Sequence, residues 1–451
     1  MNGQLDGTIG QRLFSDAVSR SAHGQTCFFH GVGLHQAIQF ALLAPATVKI
    51  VELDSAAFDI ADDRIAPVRQ PHAVAPGLTV EESRCFQRWL RQAESTTRGA
   101  QGAEVPTRFG LATREEDGDW RDYMEQLVSH DEGLPGKLRT EVTEEFPRTI
   151  LSFNQSPDVP FDRSVNAYRG CEHGCVYCFA RPTHAYHDLS PGLDFETRLF
   201  AKPNAAELLR ATLAKPKYRP RPLAMGTNTD PYQPIEARYR ITRQVLEVCL
   251  DARHPVTITT KSDRVLADLD LLAELAERRL VAVAISVTSL DPRLSGKLEP
   301  RAAAPAKRLQ ALGRLAEAGV PTHCSVSPII PAITDEFMEE IVQRAAALGV
   351  DSVGWIPLRL PHEVAPLFRE WLSVHYPERG DKVMAIVRSI RGGKDNDPDF
   401  HTRMKPTGVW ADLFRARFRL ACKRAGLGKA KFELDCTQFR PPALGGQMRL
   451  L

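Results

Sequence analysis

The chain has 451 residues, 43% hydrophobic and 25% charged, which are proportions of a folded globular protein with room for one large domain plus extensions, or for two domains. No run of about 18 apolar residues occurs, so no transmembrane helix is expected, and the start Met1-Asn-Gly-Gln-Leu-Asp lacks the basic and apolar regions of a signal peptide. Nine cysteines with a single clustered set argue against a disulfide framework and for a reducing compartment with metal chemistry, so a cytoplasmic location is expected. The net charge of +2 conceals an asymmetry: residues 1–147 hold 14 Lys/Arg against 22 Asp/Glu, the remainder 44 against 34. A basic second part is compatible with a nucleic-acid partner, and equally with the surface of an ordinary soluble enzyme.

In chain order, residues 1–97 read as an N-terminal extension. It has a mildly amphipathic stretch at Leu34–Ala46, an alternating strand at Thr47–Leu53 and a helix at Val80–Glu94. Residues 98–139, rich in Gly, Thr and charge, have little to bury and read as a flexible linker or arm. From residue 140 to 360 the rhythm alternates. Strand patterns fall at Ser164–Tyr168, Pro222–Gly226, Pro255–Thr260, Leu280–Val287, Pro321–Val326 and Ser352–Ile356. Helical patterns lie between them at Ala205–Leu213, Ile241–Ala252, Val265–Arg278, Ala306–Ala318 and Thr334–Leu348, with Asn204 as N-cap of the first. Six strands joined by helical crossovers define an α/β protein with a parallel sheet, either open and doubly wound or a partial barrel. Residues 361–451 form a C-terminal extension, mostly helical (Val364–Val374, Lys382–Arg391, Val409–Ala425) and closing on a strand near Phe432, which covers one side of the core.

The densest chemistry is Cys171-Glu-His-Gly-Cys175-Val-Tyr-Cys178, just after the first strand of the alternating region. Three thiols at C-x3-C-x2-C spacing can wrap one metal centre, and Gly174 can take the positive φ of a tight wrap. A 4Fe-4S cluster held by three cysteines keeps one iron free for a ligand that is not protein. Zinc is the competing metal, with His173, His184 or His187 as fourth ligand, although no second C-x-x-C is present to build the other knuckle.

With Tyr177 as the aromatic residue before the last cysteine, this motif resembles the signature of the radical S-adenosylmethionine (SAM) superfamily. Two further stretches, Gly226-Thr-Asn-Thr-Asp230-Pro-Tyr-Gln-Pro-Ile-Glu236 and Ser327-Pro-Ile-Ile-Pro-Ala332, resemble its spore photoproduct lyase-like branch, whose members often carry the label DNA repair photolyase and are mostly uncharacterised. The resemblance runs from about residue 98 to 442. It implies a partial (β/α)6 TIM-like barrel, with active residues on loops at the C-terminal ends of the strands. It also implies a 4Fe-4S cluster on Cys171, Cys175 and Cys178. SAM then binds the open iron, and its one-electron cleavage gives a 5′-deoxyadenosyl radical that abstracts hydrogen. A flavodoxin or ferredoxin-type reductant is implied as partner, since the chain has no flavin motif.

For SAM the resemblance brings forward Tyr177 and Ile330 near the adenine, Ile330 within the turn after the fifth strand. Gly226, Thr227, Asn228, Thr229 and Asp230 after the second strand approach the SAM ammonium, though the Gly-Glu of the superfamily motif is missing there. Ser286 and Thr288 share one face and suit the ribose, and Arg308, on the first turn of the fourth helix behind Glu299-Pro-Arg301, suits the carboxylate. Lys261-Ser262 and Arg359 are candidates for substrate contact. Spore photoproduct lyases return hydrogen from a cysteine downstream of the cluster, whereas here none lies between Cys178 and Cys249, which speaks against thymine-dimer repair. Cys249 falls in an apolar helical run, Cys324 on the fifth strand reads as a core thiol, and Cys422 and Cys436 are too sparse for a second cluster. The opposing hypotheses are a non-catalytic nucleic-acid-binding protein with a structural metal site, and a redox sensor that keeps the cluster.

Overall fold

A computed structural model describes residues 48–51, 56–61, 64–69, 139–428 and 433–443. The chain divides into two compact units, residues 1–94 with 121–136 and residues 95–120 with 137–451. In the first, strands β1 (Val48–Val51), β2 (Ala56–Ala61) and β3 (Arg64–Arg69) form an antiparallel sheet in sequence order. The alternation at Thr47–Leu53 anticipates β1. The helical patterns at Leu34–Ala46 and Val80–Glu94, and most of the expected linker, lie outside the described residues.

The second unit is built on a seven-stranded sheet. Its first strand, β5 (Leu151–Phe153), runs antiparallel to β6 (Arg163–Val165). From β6 onward every pairing is parallel: β9 (Leu223–Met225), β10 (Val256–Thr260), β11 (Val281–Ser286), β12 (Thr322–Ile329) and β13 (Ser352–Pro357). A small second sheet contains β4 (Glu141–Glu144), β7 (Tyr168–Arg169) and β8 (Arg198–Ala201). Six parallel strands linked by helices make the partial (β/α)6 barrel. The run Val281-Ala-Val-Ala-Ile-Ser is buried at five of its six positions, as expected of a strand covered on both faces. The β12–β13 register shifts between Val326 and Ile329, around Pro328, whose ring nitrogen has no hydrogen to give the ladder.

Helices α1 (Asp194–Thr197), α2 (Ala205–Leu213), α3 (Glu236–Tyr239), α4 (Ile241–Asp251), α5 (Leu269–Glu277), α6 (Pro292–Leu298), α7 (Pro305–Glu317) and α8 (Met338–Ala347) occupy the crossovers. Three expectations need correction. The strand Ser164–Tyr168 is divided, because its first half joins the barrel and Tyr168 pairs with Ala201 in the small sheet. The helices expected to begin at Val265 and Thr334 open instead as tight 3-10 turns, Asp263–Asp268 and Asp335–Phe337, ahead of α5 and α8. Asn204 is no side-chain cap; its amide donates to the Pro147 carbonyl at 3.2 Å, tying α2 to the segment before β5.

The C-terminal extension supplies α9 (Val364–His375), α10 (Gly380–Ser389) and α11 (Val409–Arg424). No strand forms in the described residues after α11. Phe414 and Ala421 of α11 join the barrel core, and Arg417 clamps the start of α8 through Asp335 at 3.0 Å and Glu339 at 2.6 Å. α9 and α10 build a second core in which Phe368, Trp371, Leu372, Val383 and Val387 close over Cys175, Val176, Tyr177, Leu298 and Ile330. The extension therefore walls one side of the cysteine loop.

Candidate metal centre and active site

The cysteine loop leaves β7 at Gly170, at the C-terminal end of the barrel. Gly170 has φ +70°, and a Cβ there would lie 2.5 Å from Leu199 and 2.8 Å from the Phe195 carbonyl. Gly174 has φ +65°. The loop's backbone is held from several directions. Cys171 N donates to Phe195 O at 2.8 Å, Val176 N to Leu298 O at 3.1 Å and Cys178 N to Cys175 O at 3.1 Å. Glu172 N donates to the Gln233 side chain at 2.9 Å.

Arg181, fully buried, is a staple that sequence reasoning missed. Its Nε donates to Cys175 O at 2.9 Å, its Nη1 to Pro191 O at 3.0 Å and Gly192 O at 2.8 Å, and its Nη2 pairs with buried Glu196. The guanidinium also lies over the Phe195 ring, 5.3 Å from its centroid. The only available signal was an arginine three residues past the last cysteine, which reads as an ordinary surface charge.

Cys171 and Cys175 are buried and Cys178 half-buried, all free thiols. Burial, then the Asp230 carboxylate and the other two thiols, push the Cys171 pKa well above the ordinary value. Burial likewise raises Cys175, with Lys261 opposing. No group of three or more His, Cys, Asp or Glu among the described residues is arranged to hold a single metal ion. Of the histidines named as fourth zinc ligands, two have polar partners, while His187 Nε2 is buried without one. His173 Nδ1 lies 3.3 Å from Asp230, His184 Nε2 lies 2.9 Å from Arg198 O, and His187 packs 5.0 Å from the Phe200 ring. Burial lowers the His184 pKa to about 4, so its ring is neutral and Nε2 donates to that carbonyl.

The residues named for SAM divide into two groups. Tyr177 and Ile330 fall in one cluster. The Tyr177 hydroxyl donates to Glu299 and sits 3.3 Å from Thr288 Oγ1, whose single proton lies between two acceptors, Glu299 at 2.8 Å and Ser327 O at 2.9 Å. Thr227 and Asn228 remain half-exposed, held loosely by Asn166 at 3.4 and 3.2 Å. Ser286 ends β11 with its carbonyl accepting from Arg308 at 3.1 Å.

Four of these assignments take a different form in the structure. Arg308 is buried and spent on Glu299, Ala303 O at 2.6 Å and Ser286 O, so its fork is not open to a SAM carboxylate. Asp230 accepts from Thr260 Oγ1 and Lys261 N, both at 2.7 Å, and faces His173, so it is a clamp between β10 and the cysteine loop. Burial opposes its charge, but His173 and these donors outweigh it and lower the pKa to about 2. Thr229 turns away and donates to Tyr168 O at 3.2 Å. Gly226 makes its close approach to protein, since a Cβ there would meet Thr259 O at 1.9 Å. Arg301 is likewise held, pairing with Glu172 at 2.9 Å.

Lys261 occupies the position facing the loop. Its ammonium lies 5.8 Å from the Tyr177 ring centroid. Burial works against its charge, but Cys175 and Glu299 outweigh it and raise its pKa. Cys249 and Cys324 are core thiols pushed up to about 12 by burial.

Fold and loop together place three cysteines at the C-terminal end of a partial barrel. The family model described as Radical SAM superfamily matches residues 165–345. An uncharacterized protein of Mycobacterium tuberculosis is 39% identical over 232 residues, covering 51% of this chain and 68% of the relative. An uncharacterized protein of Methanocaldococcus jannaschii is 30% identical over 215 residues, covering 48% and 76%. Among solved structures, a spore photoproduct lyase mutant aligns with TM-score 0.44 at 16% identity, covering 63% of this chain and 79% of that one. The chain belongs to the radical SAM superfamily and carries its catalytic domain. No helix among the described residues is long and apolar enough to cross a membrane.

Proposed function

We propose that Cys171, Cys175 and Cys178 hold a 4Fe-4S cluster, that SAM binds beside it, and that the enzyme abstracts hydrogen from a substrate admitted at the barrel mouth. When bound, the cluster and SAM together supply a 5′-deoxyadenosyl radical once an external flavodoxin or ferredoxin-type reductant delivers an electron. The observation that carries this reading is three thiols on one stapled loop beside the first barrel strand, with no fourth cysteine in the loop.

The chain's own residues supply the surroundings. Arg181 and the amide bonds of the loop fix the ligand backbone. Tyr177 and Ile330 form an apolar wall suited to an adenine. Thr227 and Asn228 offer polar atoms beside it. Since Arg308 is engaged with Glu299, the cation suited to a SAM carboxylate is Lys261, which makes no ion pair among the described residues. α9 and α10 exclude water from the far side of the loop, as radical chemistry requires.

Anaerobic reconstitution with iron and sulfide, then dithionite and SAM, tests the proposal. Wild type forms 5′-deoxyadenosine, while Cys175→Ala loses it together with cluster iron. A reducible cluster that leaves SAM intact, with and without added nucleic acid, overturns the enzyme reading.

A further inference from the structure

Arg359 lies two residues beyond the end of β13, on the face that carries the cysteine loop. Its guanidinium is half-buried, and its Nε is buried with no hydrogen-bond partner. Its Nη1 makes a weak contact to the Met404 sulfur at 3.7 Å. Burial and then the charge of Arg403 lower its pKa. A buried guanidinium nitrogen without an acceptor is costly, and an arriving anion would satisfy it.

Two more arginines stand behind it. Arg391 is buried and bonds only main-chain carbonyls: Leu358 O at 2.6 Å, Pro357 O at 3.3 Å and Arg403 O at 2.9 Å. Burial and Arg359 push its pKa down to about 10. Arg403 is satisfied by Asp158, with Nη2 at 2.8 Å from Oδ1. Asp397 is felt electrostatically by Arg359 and Arg391 but forms no ion pair with either among the described residues. Three guanidiniums thus face two carboxylates, and Arg359 has the open donors. Phe400, on the loop that carries Arg403 and Met404, is 46% exposed, with the Arg403 guanidinium 4.4 Å from its centroid, which leaves ring surface open to solvent.

We propose that Arg359 is an oxyanion subsite at the barrel mouth that takes a phosphate group carried by the substrate. This rests on the reading of the chain as a radical SAM enzyme and adds what the substrate must bear. Arg359 supplies the fork, Arg391 and Arg403 the field, and Phe400 packs against the group attached to the phosphate.

The test is calorimetric titration of the full-length, reconstituted chain with phenyl phosphate, benzoate and phenol, which share a ring and differ in the anion. Wild type binds phenyl phosphate at least tenfold more tightly than benzoate, and phenol not measurably. Arg359→Gln loses tenfold or more toward phenyl phosphate, Arg359→Lys loses less, and exposed Arg293→Gln leaves it unchanged. Iron content and SAM affinity stay at wild-type values in Arg359→Gln. Equal binding of benzoate overturns the phosphate assignment. No binding by wild type, or undiminished binding by Arg359→Gln, overturns the subsite. Loss of SAM affinity in Arg359→Gln instead makes Arg359 a cofactor contact. Because none of these readouts uses SAM cleavage, phosphate binding without 5′-deoxyadenosine sinks the enzyme reading alone, and the converse sinks the subsite alone.

Discussion

The hydroxyl of Tyr177 donates to the carboxylate of Glu299, which follows it by 122 residues. Glu299 is fully buried and also receives Thr288 and the Arg308 guanidinium. One carboxylate therefore joins the cysteine loop, the second residue after β11, and α7. Tyr177→Phe removes the loop's share while keeping the ring. A hydrogen bond to a charged acceptor is worth about 1.5–3 kcal/mol, so the variant is expected to lose that much stability in urea and to retain less iron after reconstitution. Unchanged stability and iron content would show that the bond does not hold the loop.

The Arg181–Glu196 pair permits a sharper separation of roles. Arg181→Met takes from buried Glu196 its guanidinium partner, at a cost of about 3–5 kcal/mol. Arg181→Met with Glu196→Leu removes both charges and should recover most of that stability. The Cys175 carbonyl still lacks its donor, so the double variant is expected to fold yet lose cluster iron faster in air than wild type. Iron release and visible absorbance over time check this.

Gly226→Ala is expected to be severe although it adds one methyl group. Its φ of +86° strains an alanine by about 1–3 kcal/mol, and the new Cβ falls on the Thr259 carbonyl. A thermal melt should show a fall of several degrees or failure to accumulate folded chain. Gly392→Ala, where nothing lies within 4 Å of the new Cβ at φ +62°, should fall less.

Stability should depend on pH through Glu236. Burial raises its pKa from 4.5 to about 7, despite the Tyr168 hydroxyl and the Thr242 amide that bond it. The native state thus holds a proton that the unfolded chain releases. The contribution is complete below about pH 4.5 and is lost as pH rises through about 7, a difference on the order of 3 kcal/mol at 1.36 kcal/mol per unit. Urea midpoints of Glu236→Gln between pH 5 and 8.5 should lack this component of the slope, while wild type keeps it.

Much of the barrel was legible because parallel strands are local, apolar and regularly spaced. Leu223–Met225, Val256–Thr260 and Val281–Ser286 all fall inside the expected runs, and Ala205–Leu213 is the expected helix residue for residue. The pattern failed at junctions. Tyr168 continues an apolar run, but its neighbour in space is Ala201 rather than β9, and no periodicity carries that information.

What the sequence by itself determined is the cysteine loop and the class of chemistry, since three thiols and a glycine within eight residues must lie close whatever the fold. What only the tertiary structure decided is which charged and polar residues are free. Arg308, Asp230 and Thr229 read as available side chains and are spent on protein partners, whereas Lys261 and Arg359, candidates for substrate contact, form no ion pair among the described residues. The reason is physical: a buried charge is defined by its partner, and here the partners lie 9 residues away for Arg308 and 31 for Asp230, on elements that meet only when the barrel has closed around them.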